Sequence, residues 1–405
     1  MASPRLRAVA FLGALLAACS GAATPARDTA DVARARALLR EARSDLHRAR
    51  LEHDAAAGQI ASIKIAEARA LSPDDFAARE LECVALASRH RFSEALESAR
   101  ETLRRAPSSA IGHGILVDAL VELGKYEEAV AAAQEMVDLR PSPASLGRAA
   151  YLRSLHGERE GAIELMEASI DATGDPAERA WGFSQLALEQ LAGGLVSDAR
   201  RSCERALAHL PNYRPAELAL ARIQAGSGDA AGAEVVLRAI LARSDDADAH
   251  AALAELLDAT GRREEARAQF DAAERLERAE LAAGGGSEPH HLVDVLLARG
   301  DRVDEALSLA RSEASRRRDV FTCGRLALAL AAAGRGEEAA RAASDALRTG
   351  SDDPSLLAEA GEAAAAAGDA RTAVDRLRRA LARRAALSPI TARKAEERLA
   401  KLERA

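Results

Sequence analysis

The chain has 405 residues, with 48% hydrophobic and only 2% aromatic side chains, and a formal net charge of −7 at pH 7. Strong helix formers dominate and no alternating polar and apolar pattern predicts a strand, so we expect an all-α fold. The acidic total and the scarcity of rings on which bases could stack argue against a nucleic-acid-binding protein.

The first twenty residues have the pattern of an export signal. Arg5 and Arg7 precede an apolar run at 8–18, which is shorter than the roughly 20 residues needed to span a bilayer core. A basic start, a short apolar core and small residues before a cleavage point are typical of a secretory signal peptide. The Leu-Ala-Ala-Cys ending at 16–19 resembles the bacterial lipobox, in which the cysteine becomes the lipidated first residue of the mature protein.

Cys19 is therefore predicted to be the lipidation site, after a signal peptide at 1–18 and before a short linker at 19–27. The alternative is an ordinary signal peptide in which this cysteine is incidental. Ser20 resembles the second residue of lipoproteins that pass to the outer membrane, so the resemblance implies an anchored protein that faces the periplasm. Several acyl chains on one residue would hold the protein firmly, because one chain alone binds only marginally.

A 34-residue period follows this segment. It is visible in Pro73, Pro107 and Pro141, whose two spacings are both 34. A marker alanine continues the register through about ten repeats, and such a period indicates stacked helical hairpins that bury their apolar faces against one another. The marker alanines are Ala61, Ala95, Ala129, Ala162, Ala199, Ala233, Ala266, Ala306, Ala339 and Ala373.

A glycine stands five or six residues before most marker alanines. Glycine ends a helix by adopting the left-handed conformation that strains other residues, and acidic residues such as Glu127 and Glu128 then favour the start of the next helix. The predicted helix-ending glycines are Gly124, Gly157, Gly194, Gly228, Gly261, Gly300, Gly334 and Gly368. The whole pattern resembles the tetratricopeptide repeat (TPR), a two-helix unit.

The resemblance implies a right-handed α-solenoid of about ten TPR-like helix-turn-helix repeats. We predict a front part at 28–282, a glycine-rich hinge at 283–289 and a back part at 290–387. The end segment, 388–405, has no second helix to pair with, so we expect a C-terminal capping helix with a solvated face.

The sequence predicts no cofactor, no metal site and no catalytic site, because none of the common catalytic or nucleotide-binding motifs is present. His290 and His291 are interpreted as a polar helix start rather than as metal ligands. Cys83, Cys203 and Cys323 lie in repeats too far apart for disulfide bonds, so we expect small buried packing residues. An enzyme with an unrecognised site is the alternative.

One stripe of each first helix is predicted to face the concave groove, as it does in the family that the chain resembles. In the middle repeats this stripe is small and apolar, and it would suit an apolar or helical segment of a partner protein. The alternative is that neighbouring helices bury the stripe against each other. The predicted groove contacts are Tyr151, Leu188, Leu191, Leu218 and Arg222.

We therefore expect a non-catalytic, lipid-anchored periplasmic scaffold or adaptor that mediates protein–protein interactions while a cell-envelope complex assembles. No nucleic acid and no small-molecule substrate are expected. Pilus or secretin assembly, outer-membrane biogenesis and polysaccharide export all use members of this family, and the sequence does not distinguish them. The alternative is a structural envelope protein that self-associates.

The end of the chain is a second candidate surface. Residues 371–405 contain eleven Lys and Arg against four Asp and Glu, a balance of +7. Such a basic end could contact an acidic partner or an anionic envelope polymer, and the alternative is a solvated helix.

Overall fold

The computed structural model describes residues 29–52, 55–283 and 289–404. These ranges contain 21 α-helices and no strand, which confirms the all-α solenoid. The predicted signal peptide, Cys19 and the linker lie outside the described residues. The helices are α1 Thr29–Glu52, α2 Ala55–Leu71, α3 Phe76–Ser88, α4 Phe92–Arg105, α5 Ala110–Glu122, α6 Tyr126–Leu139, α7 Pro143–Leu155, α8 Arg159–Asp171, α9 Pro176–Ala192, α10 Val196–His209, α11 Arg214–Gly226, α12 Ala230–Leu241, α13 Ala247–Ala259, α14 Arg263–Ala283, α15 Pro289–Arg299, α16 Val303–Ala314, α17 Val320–Ala332, α18 Gly336–Ala346, α19 Pro354–Ala366, α20 Ala370–Leu381 and α21 Pro389–Arg404, with a short 3-10 helix at Arg384–Ala386.

Helices α1 to α20 form ten consecutive hairpins, in which each first helix packs against the second helix of its own repeat. Nine of the ten marker alanines are completely buried, and Ala266 is 2% exposed. An alanine has no side chain beyond Cβ, so two helix backbones can approach closely at each of these positions. The frame predicted from the sequence is therefore confirmed.

The loop chemistry that separates the helices is also confirmed. All eight predicted helix-ending glycines have positive φ angles, between 70° and 87°. In the second repeat His90, with φ 54°, takes the place that glycine has elsewhere. Many first helices begin at a side chain that accepts a hydrogen bond from an otherwise unpaired backbone N–H of the first turn. These N-cap residues include Asp75, Ser109, Ser142, Asp175, Asp246, Asp319 and Asp353.

The three cysteines of the repeats, Cys83, Cys203 and Cys323, are buried and free, as predicted. The predicted hinge lies mostly outside the described residues and stays a prediction. The helices on either side of it contact each other, and Glu274 of α14 accepts a hydrogen bond of 3.1 Å from Arg299 at the end of α15.

The solenoid curls until its second turn packs on its first. The backbone N–H of Arg318 donates to the carbonyl oxygen of Glu122 at 3.0 Å, and the N–H of Val320 donates to the Tyr126 hydroxyl at 2.9 Å. The guanidinium of Arg317 pairs with the Glu122 carboxylate and lies 5.4 Å from the centre of the Phe92 ring. These contacts join repeats two and three to the turn before repeat nine.

A second set of contacts lies further along the same seam. Asp352, in the turn before repeat ten, accepts from both Arg159 and Arg383 at 2.6 Å. Arg159 also donates to Glu189 at 2.6 Å, and its side chain is only 10% exposed. The ion pairs of a buried arginine that makes several hydrogen bonds are stronger than ion pairs between exposed side chains. The two turns are thus held together by polar as well as apolar contacts.

The C-terminal helix contacts more of the solenoid than was predicted. Helix α21 packs on α19 and α20, as a cap should, but it also packs against α13, three repeats earlier. Ile390 is 4% exposed and contacts a cluster that contains Ala254, Phe270 and Val295. The curvature of the solenoid brings the end of the chain over the concave side of its middle repeats, so one face of this helix is buried rather than solvated.

The turn-to-turn contact can be tested with two glycines that share the same backbone conformation. Gly124 and Gly334 both have φ 70°, so alanine at either position adopts a left-handed conformation that costs roughly 1–2 kcal/mol. A Cβ on Gly124 would lie 2.5 Å from the backbone oxygen of Arg318, whereas a Cβ on Gly334 would meet nothing within 4 Å. We expect Gly124→Ala to lower the thermal unfolding midpoint clearly more than Gly334→Ala, as measured by circular dichroism. Equal decreases would mean that the two turns do not pack in solution.

Candidate binding groove

The concave faces of the first helices enclose a cavity of ≈ 840 Å³. Helices α7, α9, α11, α13 and α15 form one side, and α17, α19 and the segment after α20 close the other. Because the second turn packs on the first, this space is a partly enclosed cavity rather than an open groove. Its volume is within the range of small-molecule and cofactor pockets, roughly 300–1,000 Å³.

The structure brings the five predicted groove residues together, since Tyr151, Leu188, Leu191, Leu218 and Arg222 all line the cavity. They differ in what they can offer a partner. Tyr151 on α7 is 42% exposed, whereas Leu191 on α9 is 1% exposed and belongs to the core between α9, α10 and α11. Leu191 therefore presents no surface to a partner in this conformation.

The chain itself contacts part of the predicted groove. Leu188 packs in a cluster that includes Ala385 and Ala386, and the guanidinium of Arg222 donates to the Ala386 carbonyl oxygen. Gly226, at the end of α11, allows this approach, because a Cβ there would lie 2.2 Å from the Ala385 oxygen. Leu218 is partly buried against the core of α12 and α13.

Helix α21 continues this intramolecular contact along the concave side. Arg393 pairs with Asp258 of α13 at 2.5 Å, and Arg398 donates to Glu362 of α19 at 2.9 Å. Lys394 donates to the carbonyl oxygen of Leu297 at 3.1 Å. The basic end that was predicted to contact an acidic partner or to be solvated thus contacts acidic positions of the chain's own concave stripe.

Sequence reasoning missed this contact, although a signal was present. In its later repeats the concave stripe contains three carboxylates, Glu255, Asp258 and Glu362, and the end of the chain carries an excess of +7 over 371–405. The acidic stripe and the basic C-terminal end could attract each other if the solenoid curves enough to bring them together. The repeat pattern gives no information on how far the solenoid curves.

Several carboxyl groups are buried around the cavity. Glu255, Glu277, Glu359 and Glu362 each have one carboxyl oxygen that is shielded from solvent and has no hydrogen-bond partner. Burial raises the pKa of Glu277 to about 8, and it raises the pKa of Glu359 to about 8 despite the nearby Arg325. Because these values exceed 7, both carboxyl groups are largely protonated at neutral pH.

One group of side chains has the composition of a metal site. Asp248 of α13, Glu277 of α14 and His291 of α15 place one potential ligand atom each within 4.8 Å of the others. All three residues line the cavity. The sequence alone predicts a polar helix start at His291. It gives no sign of the group, because Asp248 and Glu277 come from two preceding helices and share no sequence motif with His291.

Comparisons with known proteins agree with the repeat frame. Residues 83–145 and 190–256 match the tetratricopeptide repeat. The human IFIT1 dimer with m7Gppp-AAAA is similar in fold, at 15% identity over 73% of this chain and 68% of that chain, with a TM-score of 0.50. No curated protein matches the chain.

Two bacterial structures are also similar to parts of the chain. A thermophilic TPR protein of Thermus thermophilus shares 18% identity over 45% of this chain and 98% of that chain, with a TM-score of 0.40. Pseudomonas aeruginosa pilF shares 18% identity over 50% of this chain and 91% of that chain, with a TM-score of 0.42. The matched repeats support the TPR family and indicate a scaffold for protein–protein interactions.

The described helices include none that is both long enough and apolar enough to span a bilayer.

The buried carboxyl groups predict a pH dependence that one substitution isolates. The pKa of Glu359 is raised from 4.5 to about 8, so the folded chain holds this proton more tightly than the unfolded chain does. The resulting stability is complete below pH 4.5 and is lost as the pH rises through about 8. We expect Glu359→Gln, which does not titrate, to raise the unfolding midpoint relative to the parent by an amount that grows between about pH 5 and about pH 8.

The control for this experiment is Glu337→Gln, since the side chain of Glu337 is 93% exposed. Its difference from the parent should stay constant over the same pH range. A constant difference for Glu359→Gln as well would show that Glu359 is solvated in solution.

Proposed function

We propose that this protein is a lipid-anchored periplasmic scaffold that binds a basic amphipathic helix of a partner protein during assembly of a cell-envelope complex. The partner helix takes the place of the chain's own helix α21 on the concave side. The observation that carries the proposal is the position of α21 itself, a 16-residue helix with a basic side that contacts the concave faces of α13 and α19.

The contacts of α21 indicate which chemistry the groove accepts. Ile390 occupies an apolar site formed by Ala254, Phe270 and Val295. On either side of this site, the carboxylates of Asp258 and Glu362 pair with arginines of α21. A partner helix with one apolar anchor and two or three basic residues on the same face would make the same contacts, as in other helix-in-groove complexes.

A partner helix that uses these contacts has to displace α21. Ile390 already fills the apolar site of Ala254, Phe270 and Val295. The carboxylates of Asp258 and Glu362 are already paired with Arg393 and Arg398.

Displacement of α21 is energetically reasonable. The side chains of Arg393 and Arg398 are 39% and 41% exposed, and ion pairs at such positions contribute about 0–1 kcal/mol each. Burial of Ile390 contributes about 1.5–3 kcal/mol. The two ion pairs and Ile390 are thus contacts of moderate strength, and the small side chains of Ala392 and Ala395 are also buried. Tyr151, which is exposed and lies on the same cavity, is an additional contact for the partner.

A peptide with the sequence of residues 388–404 tests the proposed exchange. In the full-length chain, Ile390→Glu places a carboxylate in the apolar site of Ala254, Phe270 and Val295, so α21 should leave the groove. We expect the labelled peptide to bind this variant at least about tenfold more tightly than it binds the parent, because the apparent affinity scales with the fraction of open grooves. Fluorescence anisotropy measures both affinities.

The matched control is Ile63→Glu, the same chemical change at a side chain that is already 67% exposed on α2. It should bind the peptide as weakly as the parent does. Equal peptide affinity for the two variants, or none for Ile390→Glu, would exclude α21 as a stand-in for a partner helix.

The proposed location depends on Cys19, which lies outside the described residues. The basic start, the short apolar run and the Leu-Ala-Ala-Cys ending support lipid attachment there, and Ser20 supports passage to the outer membrane. The ten residues from 19 to 28 can span at most about 35 Å, so the anchor would hold α1 near the membrane surface.

Substitution of Cys19 tests the anchor. Cys19→Ala removes the thiol that would receive the lipid, so we expect the variant to lose palmitate labelling in cells and to leave the membrane fraction. Cys83→Ala, the same change at a buried cysteine of α3, serves as the control and should keep both properties. Undiminished labelling of Cys19→Ala would refute the anchor.

A further inference from the structure

We propose that Asp248, Glu277 and His291 form a binding site for a divalent transition-metal ion, with Zn²⁺ as the preferred metal. The site joins the first turns of α13 and α15 to the last part of α14, and it opens on the central cavity. The site is separate from the proposed exchange of α21, because Asp248 lies at the start of α13, whereas Asp258, which pairs with α21, lies at its end.

The spacing of the three side chains fits a small ion. The Nδ1 atom of His291 lies 3.3 Å from Oδ1 of Asp248, and all three potential ligand atoms lie within 4.8 Å of one another. Bonds of about 2.0–2.2 Å in a tetrahedral zinc site put neighbouring ligand atoms roughly 3.3–3.6 Å apart. The His291 and Asp248 atoms already have this separation, and Glu277 needs to move by roughly 1.5 Å or less to match it.

Glu277 is the second observation that points to a cation. Its side chain is 3% exposed, and its Oε2 atom is shielded from solvent without any hydrogen-bond partner. A buried carboxyl oxygen without a hydrogen-bond partner is destabilising, and coordination of a metal ion, which releases the carboxyl proton to solvent, would satisfy it. A metal ion bound by Asp248 and His291 would lie beside the carboxyl group of Glu277.

Arg214 fixes the orientation of the Asp248 carboxylate in the proposed site. Its Nη2 atom donates to Oδ2 of Asp248 at 2.5 Å and to Oδ1 of Asp246 at 2.9 Å, which leaves Oδ1 of Asp248 on the His291 side. Partners of this kind, which orient a ligand without touching the metal, commonly support metal affinity. The orientation of Asp248 is therefore fixed by the fold before any ion binds.

The ligand types select the metal class. One imidazole nitrogen and two carboxylate oxygens suit Zn²⁺ and related transition metals, whereas Ca²⁺ and Mg²⁺ prefer sites made of oxygen alone. Three protein ligands leave a fourth position of a tetrahedral ion for water or for a carboxylate from a molecule in the cavity.

Metal titration of the full-length protein tests the site. The protein is purified in detergent, stripped with a chelator and titrated with ZnCl₂ by calorimetry. We expect one ion per chain and a rise in the thermal unfolding midpoint with zinc concentration. Cobalt in place of zinc should give the visible absorption bands of a four-coordinate ion. Glu277→Gln and His291→Ala should each weaken zinc binding at least about tenfold and remove these bands.

Glu264→Gln is the matched control, because Glu264 is exposed in the first turn of the same helix, α14. It should bind zinc and cobalt as the parent does. Glu277→Gln should also unfold at least as high as the metal-free parent, since it removes an unpaired buried carboxyl group, so lost binding cannot be attributed to misfolding. Zinc binding that survives both substitutions, no binding by the parent, or binding of Ca²⁺ or Mg²⁺ in preference to zinc would each overturn the assignment.

Discussion

The contact between the first and second turns of the solenoid determines most of what is unusual in this structure. In a simple repeat array each unit touches only its neighbours, and the concave side is an open groove. Here Glu122 and Tyr126 bond to Arg317, Arg318 and Val320, so the two turns close around a common axis. The groove becomes a cavity, and polar side chains that would face water in an open array become buried.

Buried carboxyl groups line the cavity that this closure forms. Glu255, Glu277 and Glu359 lie on helix faces that are polar in sequence, yet each has an oxygen without a partner. Sequences generally avoid such groups because an unpaired buried polar atom destabilises the fold. Positions that depart from this rule are often functional, which is why the candidate helix groove and the candidate metal site are both at this cavity.

The local features of the fold could be predicted from the sequence because they depend on local chemistry. The glycines that end first helices, the marker alanines such as Ala129 and the concave stripe follow from backbone conformation and from the 34-residue period. Closure could not be predicted in this way, because it results from small rotations that accumulate over ten repeats. The candidate metal site was missed for the related reason that Asp248, Glu277 and His291 come from three helices. Leu191 was predicted as a surface residue because it shares the spacing of Tyr151 and Leu188, but neighbouring helices bury it.

The contact between Glu122 and Arg317 joins residues 195 positions apart, whereas the hairpins themselves are formed by neighbouring segments. Local contacts form early in folding, and contacts between distant segments must wait until both segments exist. Repeats two and three can therefore fold while the surface around Phe92 and Tyr126 is still uncovered. This surface is covered only after the repeats between it and Arg317 have stacked and brought the second turn back onto the first. Throughout that interval the front half of the molecule has to remain soluble with its future interface open to water.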